Sequence, residues 1–220
     1  MKPRLIGPLF ATRQCKLPTW RAWLLALAVA IIGSVLFVHA LYPFLAVNEP
    51  VRGGVLVVEG WASDYTLQAA ADEFQKGGYS TLYVVGGPID RGAALSAYDS
   101  FAALGAATLK AVGVPPDKVQ AVPSPAVPQD RTYTEGKELR KLWETAGGPP
   151  GQVHLVTEGA HARRSRLLFE MALDHKVQIG ITAVPPRGFD SRHWWKSSAG
   201  FRNVTGELLG YAYARILFRP

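Results

Sequence analysis

Between Ala22 and Asn48 the chain has no Asp, Glu, Lys or Arg, and Trp23 to Tyr42 is apolar almost throughout. No other feature restricts the fold as strongly. A helix needs about 20 apolar residues to cross a hydrocarbon core of roughly 30 Å, and this run supplies them. Trp20, Trp23 and Tyr42 stand near its ends, where amphipathic rings settle among headgroups. His39 is close enough to the far end to reach water. The run is apolar all round, with no polar stripe, unlike the surface helix of a globular domain. A cleavable signal peptide is the competing reading, because Val38-His39-Ala40 loosely fits a small-residue cleavage site. Its apolar region would be about 7–15 residues, shorter than this run. The sequence therefore predicts a single-pass anchor. It divides the chain into a basic tail (1–21), an anchor and exit (22–47), a linker (48–53) and a folded domain (54–220).

Charge assigns a side to each part. The 220 residues hold 24 Lys+Arg against 17 Asp+Glu, a net charge of +7. Lys2, Arg4, Arg13, Lys16 and Arg21 all precede the span, with no acid among them. Without those five, 19 cations face 17 acids, so the domain is nearly neutral. That gives no electrostatic case for nucleic acid. The positive-inside rule keeps the tail in the cytoplasm and exports the domain to the periplasm or exterior of a bacterial cell. The single cysteine, Cys15, falls on the reducing side. One cysteine also excludes an internal disulfide framework and a cysteine-based zinc site.

After the linker, β-branched apolar runs alternate with amphipathic stretches. Strands are predicted at 54–58, 81–85, 118–122, 153–157 and 177–184, and helices at 64–76, 95–112, 134–145 and 160–172, with a last helix over 200–218. That last helix is read as packing back on the domain, with membrane contact as the lesser reading. Strands that are continuously apolar and alternate with helices imply a parallel sheet covered on both faces. The expected fold is α/β, a doubly wound Rossmann-like, mostly parallel five-stranded sheet behind one N-terminal transmembrane helix.

In such a sheet ligands bind beyond the carboxyl ends of the strands. The loops there carry Glu59-Gly60-Trp61, Gly86-Gly87 with Arg91, Asp130-Arg131-Thr132, and Thr157 followed by His161 and Arg164. His161 and Arg164 are three apart in a first helical turn, hence neighbours on one face. That turn also exposes free backbone N–H groups, which suits an anion, phosphate above all. Solvated arginines and a capping histidine are the plainer alternative. Gly86-Gly87 permits close backbone approach to a ligand. No phosphate-loop lysine follows it, and no G-x-G-x-x-G follows the first strand. Thr132-x-x-Glu135 has capping-box spacing, so helix capping is the first reading for Glu135.

Glu59, straight after a buried strand, needs a partner, with Arg131 or Arg164 the candidates. It is read as a base or as a neutraliser of arginines. There is no Gly-x-Ser-x-Gly elbow, and the histidines lack metal-ligand spacing. No metal and no cofactor is expected. Trp194-Trp195 is a candidate lid over the rim, with core packing the better reading for at least one of the pair.

From about Gly54 to Val184, and more weakly through the last helix, these residues resemble the YdcF/SanA/ElyC-like family of bacterial envelope proteins. Val85-Gly86-Gly87 is similar to the family's Ser-Gly-Gly. Asp130-Arg131-Thr132 stands where it has Ser-x-Asn-Thr. Thr157 with His161 and Arg164 is similar to its Thr/Ser and His-x-x-Arg. The chain departs from the pattern at Glu59-Gly60-Trp61, at Arg131 in place of asparagine, and around Ala93-Ala94-Leu95, where an acidic residue is usual.

The resemblance implies a Rossmann-like domain behind a transmembrane helix, linked to peptidoglycan or lipid-carrier steps. It implies as partners the inner membrane and an anionic envelope precursor or lipid carrier. The expected roles are His161 as acid or base and Glu59 as base or orienter. Gly86, Gly87, Arg91, Arg131, Thr132, Thr157 and Arg164 are the expected ligand contacts. A non-enzymatic envelope scaffold or sensor is the second reading. A nucleotide- or S-adenosylmethionine-dependent enzyme is the third.

Overall fold

The computed structural model describes residues 18–90 and 92–220. The tail cations Lys2, Arg4, Arg13 and Lys16, together with Cys15 and Arg91, lie outside the described residues. The chain divides into two compact units, one up to Val38 and one from His39 to Pro220.

Helix α1 (Trp20–Leu45) is the one helix among the described residues that is long and apolar enough to cross a membrane. Up to Val38 its apolar side chains, such as Leu25 and Ile32, are exposed. From His39 onward it belongs to the second unit, with Leu41 and Leu45 buried. The predicted linker is likewise built in. Glu49 bridges Ile181, Asn48 Oδ1 accepts from the Ala183 amide, and the Val51 amide donates to His154 Nδ1. The domain therefore begins earlier than the sequence boundary at Gly54. The reason is that Asn48 and Glu49 satisfy backbone groups on the otherwise exposed edge of the last strand.

The five strands are β1 (Val55–Glu59), β2 (Leu82–Gly86), β3 (Val119–Pro123), β4 (Gln152–Glu158) and β5 (Gln178–Val184). They form one sheet in the order β3-β2-β1-β4-β5, all parallel. The helices are α2 (Asp64–Gly77), α3 (Phe101–Ala111), α4 (Arg131–Thr145), α5 (Ala162–Ala172) and α6 (Ser198–Ile216). Side chains alternate across a strand, so Leu56 and Val58 face a core with α2 and α3. Val55 and Val57 face a second core with α4 and α5. This is the doubly wound α/β arrangement predicted. Helix α6 covers α5, with Leu168, Ala214 and Phe218 between them.

Two helix starts differ most from expectation. Helix α3 begins at Phe101 and not at Leu95, because the Ser100 side chain caps it by accepting from the Ala103 amide. Helix α4 begins at Arg131, behind an Asp130 in the left-handed region with φ of 58°.

The turn that ends β1 is packed to contact. A Cβ on Gly60 would lie 2.2 Å from the Phe101 carbonyl oxygen, which is backbone and cannot swing aside. Gly60→Ala is expected to destabilise the domain by about 2–3 kcal/mol, read as a lowered denaturation midpoint of the detergent-solubilised chain.

Candidate functional site

The order β3-β2-β1-β4-β5 places the switch in winding between β1 and β4, where open α/β sheets take their ligands. Glu59 ends β1 and Thr157 lies near the end of β4. Parity along each strand turns both toward the α4/α5 face. There Glu59 is buried, with 3% of its surface exposed, and receives three donors. Thr157 Oγ1 donates to Oε2, while Ser165 Oγ (3.1 Å) and His161 Nε2 (3.2 Å) donate to Oε1. The partners of Glu59 are thus a histidine and two hydroxyls, and not the direct arginine contact that the sequence had suggested. Arg164 is instead taken up by Glu207, and Arg131 reaches out to Asp90.

His161 is clamped between two carboxylates, with Nδ1 3.0 Å from Glu207 Oε1 on α6. Arg164 completes the group, its Nε and Nη2 donating to Glu207 Oε2 and Oε1 at 2.8 and 3.1 Å. Arg164 Nη2 also lies 2.9 Å from His161 Nδ1. Carboxylates on both sides favour the imidazolium, in which these two nitrogens converge as donors on one Glu207 oxygen. The edge of Trp61 packs on the ring, 5.1 Å between centroids.

Burial alone would lower the His161 pKa, but Glu59 and Glu207 push it up to about 9. Burial would raise Glu207, yet its hydrogen bonds to His161 and Arg164 hold it at about 2. Glu59 is likewise raised by burial, and His161, Thr157 and Arg164 more than reverse this, keeping it ionised. His161 therefore has no lone pair free to take a proton near neutrality. In that state the ring could act chemically only as a proton donor or an electrostatic clamp, with Glu59 fixing its orientation.

A cavity of about 430 Å³ opens beside this group, lined among others by Trp61, Arg131, Thr132, Glu135, Arg164 and Glu207. Glu135 is 2% exposed, and its Oε2 has no hydrogen-bond partner. Burial, and then the neighbouring Glu59 charge, raise its pKa to about 8. The capping-box reading does not hold. Thr132 stands inside α4, one residue beyond its start, and Asp130 occupies the cap position.

Of the other residues singled out from sequence, Arg131 sits at the cavity mouth, largely exposed and 3.8 Å from Asp90. Thr132 lines the cavity, whereas Thr157 is engaged behind Glu59. Gly87 lines a smaller neighbouring cavity, while Gly86 is packed on Phe101 and Ala102 of α3. Arg163 and Arg166 are drawn away, Arg163 to the ring and carbonyl of Phe44 and Arg166 to Glu49 and Glu170. Trp194 is buried and Trp195 packs on His39, so neither lines the cavity beside His161.

Sequence reasoning missed Ser165 and Glu207, and it read Glu135 only as part of a helix cap. For Glu207 a signal existed, since it is the sole acid in α6. No group of three or more His, Cys, Asp or Glu suited to a metal occurs among the described residues. No family model matches the chain, and no curated protein matches it significantly.

Proposed function

We propose that this chain is a single-pass, membrane-anchored extracytoplasmic protein of the YdcF/ElyC-like kind. Its role would be in bacterial cell-envelope biogenesis, through binding a phosphate-bearing ligand such as an anionic envelope precursor or lipid carrier. The observation that carries the ligand class is the grip on Glu207. Two N–H groups of Arg164 and one of His161 already hold a pair of anionic oxygens at 2.8 to 3.1 Å. A phosphate group offers the same pair of acceptors, so Glu207 stands where such a ligand's oxygens would be held. Arg131, at the cavity mouth, adds a second guanidinium for a larger anion. The tail charges and the apolar α1 support the anchor and its orientation.

The test is phosphate binding by the full chain in lipid nanodiscs. Glu207→Gln weakens the internal competitor and is expected to tighten inorganic phosphate about tenfold, since a charged acceptor is worth roughly 1.4 kcal/mol more than a neutral one. Arg164→Ala is expected to abolish binding. Equal affinities in the three proteins would refute the assignment. A C-terminal reporter fusion active only in the cytoplasm would refute the orientation.

A further inference from the structure

The site has a second compartment. Beside the first cavity lies another of about 150 Å³, whose lining includes Trp61, Pro88, Phe101, Pro125, Ala126 and Val127. The two cavities share three residues, Trp61, Arg131 and Glu135. Their character differs. The first holds the ion-paired His161, Arg164 and Glu207, while the second is built mainly from proline, aromatic and aliphatic groups. Its volume matches the size of cavity that accepts a benzene ring.

At the junction stands Glu135, buried and with one oxygen lacking any partner. A buried polar atom left unpaired costs roughly 1–3 kcal/mol, so a group kept in this state awaits a partner that arrives with a ligand. Its surroundings decide whether it accepts or donates. Glu59 faces it from β1 as an ionised carboxylate, His161 and Arg164 face the cavity from the β4–α5 side, and Glu207 faces it from α6. Arg131 on its own helix and Asp90 after β2 pair with each other at the mouth. The cations nearest Glu135 are thus already matched by carboxylates. Two carboxyls in one site with divergent environments divide the roles, one ionised and the other carrying the proton. A protonated carboxyl donates.

We propose that Glu135 is the ligand-facing hydrogen-bond donor of a two-compartment site that takes a phosphate ester, its phosphate at Arg164 and His161 and its compact apolar group among Phe101, Pro125 and Val127. This rests on the phosphate reading above and adds the ester's other half. Glu135 sits where it would meet the oxygen joining the two parts.

The probes are inorganic phosphate and phenyl phosphate, titrated against the full chain in nanodiscs. Phenyl phosphate is expected to bind about tenfold more tightly than phosphate near pH 7, from burial of the ring. That preference should shrink severalfold toward pH 9 as Glu135 gives up its proton. In Glu135→Gln, whose amide still donates, the preference should persist and become independent of pH. Ala126→Trp, a loop substitution that fills the second compartment, should remove it. An infrared band of a neutral carboxylic acid, present at pH 7 and missing in Glu135→Gln, is the direct signature of the donor. Phosphate binding with no gain for phenyl phosphate overturns the second compartment and leaves the phosphate reading standing. Binding of neither probe ends both. Absence of the infrared band overturns the role of Glu135 whatever binds.

Discussion

Replacing His161 by alanine is expected to destabilise the domain by about 3–5 kcal/mol, because it strands a buried carboxylate. Glu59 has 3% of its surface exposed and would keep only the Thr157 and Ser165 hydroxyls, with no cation in direct contact. Glu207 would retain Arg164. The loss would therefore reflect the fate of one charge and not the collapse of the whole cluster. The double variant Glu59→Gln/His161→Ala separates the two. With the charge gone, a good part of the lost stability should return, even though a cavity remains where the ring was. Denaturant unfolding of the detergent-solubilised chain measures both. A double variant no more stable than His161→Ala would show that ring packing, and not the ion pair, is what matters.

The second large effect is on pH. The Glu135 pKa rises from its ordinary 4.5 to about 8 on folding. Between these values the folded chain holds a proton that the unfolded chain has lost, so this contribution declines as pH rises. His161 goes from 6.5 to about 9, so its contribution is complete below 6.5 and is lost as pH climbs through 9. Glu207 has the opposite sign. Its pKa falls from 4.5 to about 2, so its contribution is present above 4.5 and disappears as pH drops through 2.

Each proton taken up on folding tilts stability by about 1.4 kcal/mol per pH unit. From 6.5 to 8 both His161 and Glu135 take one up, and the slope is steepest there. Stability is thus expected to peak on the acid side of neutrality, near pH 4.5, to decline from there through Glu135 alone up to 6.5, and to fall by several kcal/mol in all toward pH 9. Glu135→Gln should roughly halve the slope from 6.5 to 8. A stability that is level from pH 5 to 9 would contradict the charge states assigned to both groups.

Much of the fold was legible because its signals are local. Apolar run length distinguished the helix long and apolar enough to cross a membrane from the strands. Alternation of strand and helix, with strands apolar on both faces, required a covered parallel sheet. The rim hypothesis followed from topology, and it brought Glu59, His161 and Arg164 to one place. The sequence placed Glu135 correctly on a helix but misread its purpose. A T-x-x-E spacing caps a helix only if the threonine is the cap residue, and that depends on where the chain enters the helix. Here a left-handed Asp130 shifts the start and turns Glu135 inward.

The amino-acid order alone determined the apolar span, the basic tail, the parallel sheet and the pairing of His161 with Arg164 in one helical turn. Only tertiary structure decided that Glu207, 46 residues beyond His161, would occupy its other nitrogen, and that Arg163 and Arg166 would turn away from the site. The physical reason is range. Periodicity and charge act over a few residues, whereas the partner of a buried charge is whichever group the packing of α6 on α5 brings within about 3 Å.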